Sequence, residues 1–245
     1  MQMTGNTILI TGGTSGLGLA FAQAFLQKGN TVIICGRRKD RMDALKAEYP
    51  ELVTRVCDVA DAGQRTDLAD WVIKNYPTLN ILMNNAGVQL AFDLKQPMEL
   101  NRVYTEVDTN FIAPIHLSSL FTEHLSRMQH AAIINISSGL AFVPIAFMPV
   151  YCATKAAIHS YTLSLRHQLQ SRGIKVFEVI PPSVDTELGH ERRTDKTQTH
   201  GGIPINEFLA EAMDALANDT LEAPVGGAKG LREKREAMFP VMNQH

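Results

Sequence analysis

Tyr151 and Lys155 stand four residues apart, and Ser138 lies upstream of both. On a helix an i, i+4 pair shares one face, so a phenol and an ammonium can converge on one ligand. A free tyrosine titrates at about 10. A neighbouring ammonium favours the phenolate and brings the hydroxyl within reach of proton exchange near neutrality. A serine hydroxyl beside them can donate a hydrogen bond to a substrate oxygen on which negative charge develops. Such a set passes a proton to or from an oxygen.

A second constellation lies near the start, in Thr11-Gly12-Gly13-Thr14-Ser15-Gly16-Leu17-Gly18. Ile8-Leu9-Ile10 before it is strand-like and Leu19 to Phe25 after it is helix-like. In a strand-turn-helix unit, Gly12 permits the tight turn, Gly16 lets backbone approach a pyrophosphate, and Gly18 lets the helix pack closely. The helix N-terminus then faces the anion. Proton exchange beside a bound dinucleotide points to hydride transfer at the neighbouring carbon. After the second strand comes Cys35-Gly36-Arg37-Arg38-Lys39. An acid there would accept from the ribose 2′-hydroxyl, whereas arginine pairs with a 2′-phosphate. With glycine in the acid's place and Arg37 and Arg38 beside it, NADP(H) is favoured over NAD(H); a solvated basic patch at a helix start is the alternative reading.

Strand-type apolar runs alternate with helical patterns. The strand candidates are Thr7 to Thr11, Thr31 to Cys35, Leu52 to Cys57, Ile81 to Met83, Ala132 to Ile136 and Lys175 to Ile180. Helical spacing covers Gly16 to Lys28, Arg41 to Glu48, Gly63 to Tyr76, a long Met98 to Met128 segment, Val150 to Ser171 and Asn206 to Leu216. Continuous Val/Ile/Leu content predicts strands covered on both faces. The expected fold is α/β, a doubly wound parallel sheet in a single three-layer Rossmann domain over residues 1–245. A charged, aperiodic excursion at about 187–205 interrupts the rhythm. Ala223 to Val225 reads as an edge strand and Leu231 to Phe239 as a terminal helix.

A net charge of -2 with 20% charged residues creates no large single-sign field, which argues against nucleic acid or an anionic membrane as partner. The three cysteines, Cys35, Cys57 and Cys152, lack metal-ligand spacing and suit a reducing cytoplasm. No signal-peptide pattern opens the chain, and the Leu140 to Ala153 run, broken by Pro144 and Pro149, is too short to span a bilayer. No histidine pair has metal spacing, so no metal is expected. Within that run, Leu140, Phe142, Val143, Ile145, Phe147 and Met148 either line a substrate route between Ser138 and Tyr151 or pack the interior or a subunit contact.

The spacing Gly-x-x-x-Gly-x-Gly, then Asn84-Asn85-Ala86-Gly87, then Ser138, then Tyr151 and Lys155, occurs in one order. In these motifs, over residues 7 to 186, the chain resembles the short-chain dehydrogenases/reductases. The resemblance implies that Thr14, Ser15 and Leu17 also touch the cofactor. It implies that Asp58, assisted by the Val59 amide, takes the adenine amino group, although Asp58 and Asp61 are also rival caps for the next helix. It places Asn85, Ala86 and Gly87 against the cofactor, gives Lys155 the ribose hydroxyls, and makes Asn110 a helix distortion that links Lys155 to solvent, the alternative being an asparagine satisfied by neighbouring backbone. The family's usual Pro-Gly is here Pro181-Pro182, and Pro182 has no amide hydrogen, which moves the expected nicotinamide contacts toward Val184 and Thr186. That variant, with Pro224-Val225-Gly226-Gly227 and Met238 to Asn243, is similar to the DltE-like oxidoreductases. The substrate class implied is a small-molecule carbonyl or alcohol, and the assembly a homodimer or homotetramer. Rival readings are a non-catalytic NADP(H) sensor and an epimerase or dehydratase of a longer branch.

Overall fold

The computed structural model describes residues 1–188 and 201–244. Seven parallel strands form one sheet: β1 (Thr7–Thr11), β2 (Thr31–Gly36), β3 (Val53–Val56), β4 (Leu79–Asn84), β5 (Ala132–Ile136), β6 (Lys175–Ile180) and β7 (Glu222–Pro224). Their order is β3-β2-β1-β4-β5-β6-β7. The order of the strands reverses between β1 and β4, where open α/β sheets bind ligands beyond the carboxyl ends of their strands.

The inner strands β1, β2, β4, β5 and β6 are buried along both faces, as their unbroken apolar runs predict, whereas β3 at the edge of the sheet has no buried residue, because one of its sides lacks a neighbouring strand and Val56 is 50% exposed. Ile8, Ile10 and Ile34 face one layer, where Phe21 and Phe25 of α1 (Gly16–Gln27), Leu45 of α2 (Lys39–Glu48) and Phe208 of α7 (Ile205–Ala217) close over them. Leu9, Ile33 and Cys35 face the other. That layer is built by Val72 of α3 (Ala62–Asn75), Phe121 of α5 (Ala113–Leu125) and Leu169 of α6 (Pro149–Leu169). Each Phe ring buries on the order of 150–250 Å², so these contacts anchor the helices to the sheet.

Two expected helices are divided. Met98 to Met128 becomes α4 (Leu100–Val107), a π-helical turn (Asp108–Ile112) and α5. The terminal helix becomes α8 (Ala228–Lys234), a 3₁₀ turn (Arg235–Met238) and α9 (Phe239–Met242). There Arg235 takes φ 52°, which a continuous helix does not allow. Pro240 opens the short last helix, as a residue without an amide hydrogen can at a first turn. Ile203 returns to pair with Val184, so the charged excursion is back beside the sheet before α7 begins. Its residues 189–200, including Arg192 and Arg193, lie outside the described residues. Among the described residues no helix is long and apolar enough to cross a membrane. Cys35, Cys57 and Cys152 are buried and free.

Candidate active site

A cleft of about 460 Å³ runs along the carboxyl ends of the strands. Its floor begins at the turn between β1 and α1. Gly12 adopts φ 66°, and a Cβ placed on it would meet the Ala86 Cα at 2.8 Å. A side chain there would therefore conflict with both backbone conformation and the neighbouring loop. A Cβ on Gly18 would lie 2.4 Å from both the Gly12 carbonyl oxygen and the Asn85 Nδ2, so the bare residue lets α1 press against the turn. Gly12, Thr14, Ser15, Gly16 and Leu17 line the cleft; Gly18 lies behind it. The sequence reading missed Gly13, whose added Cβ would meet the Ile34 side chain at 2.4 Å. An apolar residue on the adjoining strand is a weak sequence signal for so tight a fit.

The loop after β4 is held by hydrogen bonds to this turn. Asn85 Nδ2 donates to the Thr11 carbonyl at 2.8 Å, and the amides of Asn85 and Ala86 both donate to Thr11 Oγ1 at 3.0 Å. Asn84 turns inward, donating to Asn135 Oδ1 at 2.9 Å. Asn85 thus spends its amide on structure while Asn85, Ala86 and Gly87 form cleft wall. Val88, Gln89 and Leu90 extend that wall. Nothing in their types singles them out; their position just beyond a strand end is the only sequence signal.

Ser138, Tyr151 and Lys155 come together at one end of the cleft. Ser138 ends the turn after β5 and accepts from the Leu140 amide at 3.1 Å. Tyr151 and Lys155 sit on the first turns of α6, 4% and 5% exposed. The Lys155 Nζ donates to the Ile136 carbonyl at 2.9 Å and lies 5.6 Å from the centre of the Tyr151 ring. Burial pushes the Lys155 ammonium down to about 8, against the opposing pull of Glu178 and Glu106. Ser137 also borders the cleft, its Oγ buried without a hydrogen-bond partner among the described residues.

Asn110 lies in the π-helical turn, 1% exposed and behind the cleft wall. Its Oδ1 accepts from the Val88 amide at 2.9 Å, and its Nδ2 donates to the Val88 carbonyl at 2.9 Å and to Thr154 Oγ1 at 3.2 Å. The widened turn thus meets the β4 loop and α6 together. A Cβ on Gly87 would lie 3.5 Å from Asn110 Oδ1 and 3.8 Å from Lys155 Nζ, so both groups border the same small space.

The far end of the cleft carries arginines and acids together. Arg37 and Arg38 line it, and Arg38 Nη2 donates to Ser15 Oγ at 2.6 Å and to Thr14 Oγ1 at 3.3 Å. Asp58 and Val59 form the wall there. Asp61, not Asp58, caps α3 by accepting from the Gln64 amide at 2.9 Å, while Asp58 accepts from the Ala60 amide at 3.0 Å. Val184 and Thr186 line the opposite side, with Glu187, which the sequence reading did not single out.

The apolar 140–148 run resolves toward packing. Phe142 and Val143 are buried with Ile180 and Ala228. Leu140, Ile145 and Met148 pack around Tyr151 and Cys152, and Phe147 is 52% exposed. None of the six lines the cleft. Elsewhere, His159, Glu178 and Glu222 bring ligand atoms within 4.8 Å of one another, a grouping that sequence spacing did not foresee. The Arg232 Nε already donates to Glu222 at 2.5 Å there, placing a cation against the cluster.

Residues 6–197 match the short chain dehydrogenase family. The chain is 46% identical over 99% of its length, and 98% of the relative's, to the uncharacterized oxidoreductase DltE of Bacillus subtilis strain 168. It is 33% identical over 88% of its length, and 84% of the relative's, to a serine 3-dehydrogenase of Agrobacterium fabrum. A short-chain dehydrogenase from Sphingobium yanoikuyae, solved in complex with NADPH, superposes with a TM-score of 0.81 at 25% identity, covering 89% of this chain and 87% of that one. The matched span and the near full-length relative together establish that this chain belongs to the short-chain dehydrogenase/reductase family of oxidoreductases.

Proposed function

We propose that the protein is an NADPH-dependent reductase of small carbonyl compounds, or equally the reverse alcohol dehydrogenase, with Tyr151 as general acid and base. The observation that carries this reading is the convergence of Ser138, Tyr151 and Lys155 at one end of a cleft whose other end is a glycine turn flanked by arginines. The residues suit a nicotinamide dinucleotide: Gly12 lacks the side chain that would collide with the Ala86 backbone, and the N-terminus of α1 opens beside the turn. Gly12, Thr14, Ser15, Gly16 and Leu17 would hold its pyrophosphate, Asp58 and Val59 its adenine, and Val184 and Thr186 its nicotinamide. When bound, the cofactor supplies the hydride.

The chain's own groups handle the proton. Tyr151 gives its hydroxyl proton to the substrate oxygen, and Ser138 donates a hydrogen bond to that oxygen and orients it. Lys155 places positive charge near the phenol, favouring phenolate, and presents its ammonium to the ribose hydroxyls. Asn110 braces the loop at Val88 and stands beside the space bordered by the Lys155 ammonium, where it connects the proton path to solvent. Arg37 and Arg38 supply the preference for a 2′-phosphate. The NADPH-bound structural relative and the NADP-dependent 3-hydroxy acid dehydrogenase of Escherichia coli, 30% identical over 84% of this chain, support that preference.

The decisive assay follows NADPH absorbance across a panel of aldehydes, ketones, quinones and 3-oxoacyl compounds. Oxidation of NADPH with at least one class, faster than with NADH, is the expected result. Tight NADPH binding without turnover on any member would replace this reading with that of a dinucleotide sensor.

A further inference from the structure

Arg38 does not act alone at the arginine end of the cleft. Arg41, in the first turn of α2, points its guanidinium at the same carboxylate as Arg38: Arg41 Nη1 donates to Glu187 Oε1 at 2.8 Å and to Oε2 at 2.7 Å, and Arg38 Nη1 donates to Oε2 at 3.3 Å. Glu187 belongs to the segment after β6, 146 positions along the chain from Arg41. A carboxylate and a phosphate present the same kind of oxygen acceptors to an arginine fork. Arg38 meanwhile holds Ser15 and Thr14 of the glycine turn, so the carboxylate sits where that turn, Arg38 and Arg41 converge.

Arg37 and Asp58 line the same end of the cleft. Lys39 pairs with Asp43 at 2.6 Å. Glu187 is the one acid recorded against Arg38 and Arg41 among the described residues. The arginine contacts hold its carboxyl below the usual carboxylate range, Arg41 contributing most. The pairs are partly exposed, Arg38, Arg41 and Glu187 being 43%, 38% and 42% accessible at their side chains, so each is weak enough to exchange partners.

We infer that Arg41 joins Arg37 and Arg38 in a clamp for the cofactor's 2′-phosphate, and that Glu187 is an internal anion held by Arg38 and Arg41, which the phosphate displaces. This deepens the NADPH reading and rests on it. Glu187 then sets cofactor selectivity by competition: it weakens every ligand that needs the arginines and leaves untouched those that do not. A phosphate carries about -1.5 to -2 charge at neutral pH against -1 for a carboxylate, which lets it win the exchange. Arg41 was absent from the sequence-derived set because a helix-start arginine reads as solvated surface.

Binding of two ligand pairs that differ only at the 2′ position tests this: NADP+ against NAD+, and adenosine 2′,5′-bisphosphate against AMP, each titrated calorimetrically at low salt. Arg41→Ala is expected to weaken NADP+ and the bisphosphate about tenfold, with NAD+ and AMP within twofold of wild type. Glu187→Gln is expected to tighten NADP+ and the bisphosphate about threefold to tenfold, again sparing NAD+ and AMP. In the Arg41→Ala background the Glu187→Gln gain should shrink, because the two act through one contact. Equal effects on both members of each pair, or no effect, overturn the clamp. Weakening of NAD+ by Glu187→Gln also overturns it, since the carboxylate would then be serving a ribose hydroxyl. Wild type binding NAD+ more tightly than NADP+ defeats the NADPH reading itself, and the ratio of bisphosphate to AMP affinity still judges the clamp separately.

Discussion

The two ends of the cleft handle charge in opposite environments. At the Tyr151 end the groups are withdrawn from water: Lys155 is 5% exposed, is tied to the Ile136 carbonyl, and titrates down to about 8. At the arginine end Arg38 and Glu187 remain more than 40% accessible. Electrostatic interactions are strong in the dry end, where a misplaced or missing group is expensive, and weak and screened in the wet end. The dry end suits chemistry, which needs a fixed proton path. The wet end suits recognition, which needs exchange. Substitutions should therefore act in large steps at the first and in graded steps at the second.

The sharpest way to break that contrast is Tyr151→Phe. Removing only the hydroxyl should lower kcat by about 10²–10⁴-fold, the usual range for a general acid, with the NADPH dissociation constant within twofold of wild type. Steady-state kinetics beside a binding titration measures both, and undiminished kcat would dissolve the distinction between the ends.

Lys155→Met comes next, with a lowered kcat and a signature in stability as well. The folded-state value of about 8 lies below the ordinary 10.5. Below pH 8 both folded and unfolded chains carry the proton and the full cost of burying the ammonium is present. Between about 8 and 10.5 the folded chain releases it first, so the unfolded state binds more protons and stability gains from rising pH. The unfolding free energy of wild type minus that of Lys155→Met, from urea titrations without cofactor, should thus climb between pH 8 and 10. A flat difference would mean that the ammonium is not paying a burial cost.

The smallest of the three effects belongs to the wet end. Arg37→Asp should move the NADPH-to-NADH ratio of KM values about tenfold toward NADH, by removing a phosphate partner and supplying a ribose acceptor. Arg37 is exposed at the cleft rim, so kcat with saturating cofactor should stay within about twofold. An unchanged ratio would shift the whole preference onto Arg38 and its neighbours.

How far each part could be read from the chain follows from the range of the interactions involved. β1, β5 and β6 run as their apolar stretches predict, because a strand buried on both faces writes itself as a continuous run. Tyr151 and Lys155 fall on one helix face through spacing alone. The division of the 98–128 helix was foreshadowed only at Asn110, because the π turn is sustained by contacts with Val88 and Thr154 rather than by local propensity. The 140–148 residues left two readings open, since an apolar side chain beside a site looks the same whether it faces ligand or core. Packing against Ile180 and Ala228 decided it for Phe142 and Val143.

The sequence by itself determined the βαβ rhythm, the bare glycines of the first turn, and the ordered appearance of serine, tyrosine and lysine at strand and helix ends. These depend on neighbours a few positions away, where backbone geometry leaves little choice. Tertiary structure alone decided which loop walls the cleft beyond Gly87, how deeply Lys155 is withdrawn from water, and that Glu187 reaches across to Arg38 and Arg41. Those outcomes depend on the sheet order, which sets the carboxyl ends of β2 and β6 on opposite sides of one crevice. No local pattern of residues encodes a distance between segments so far apart in the chain.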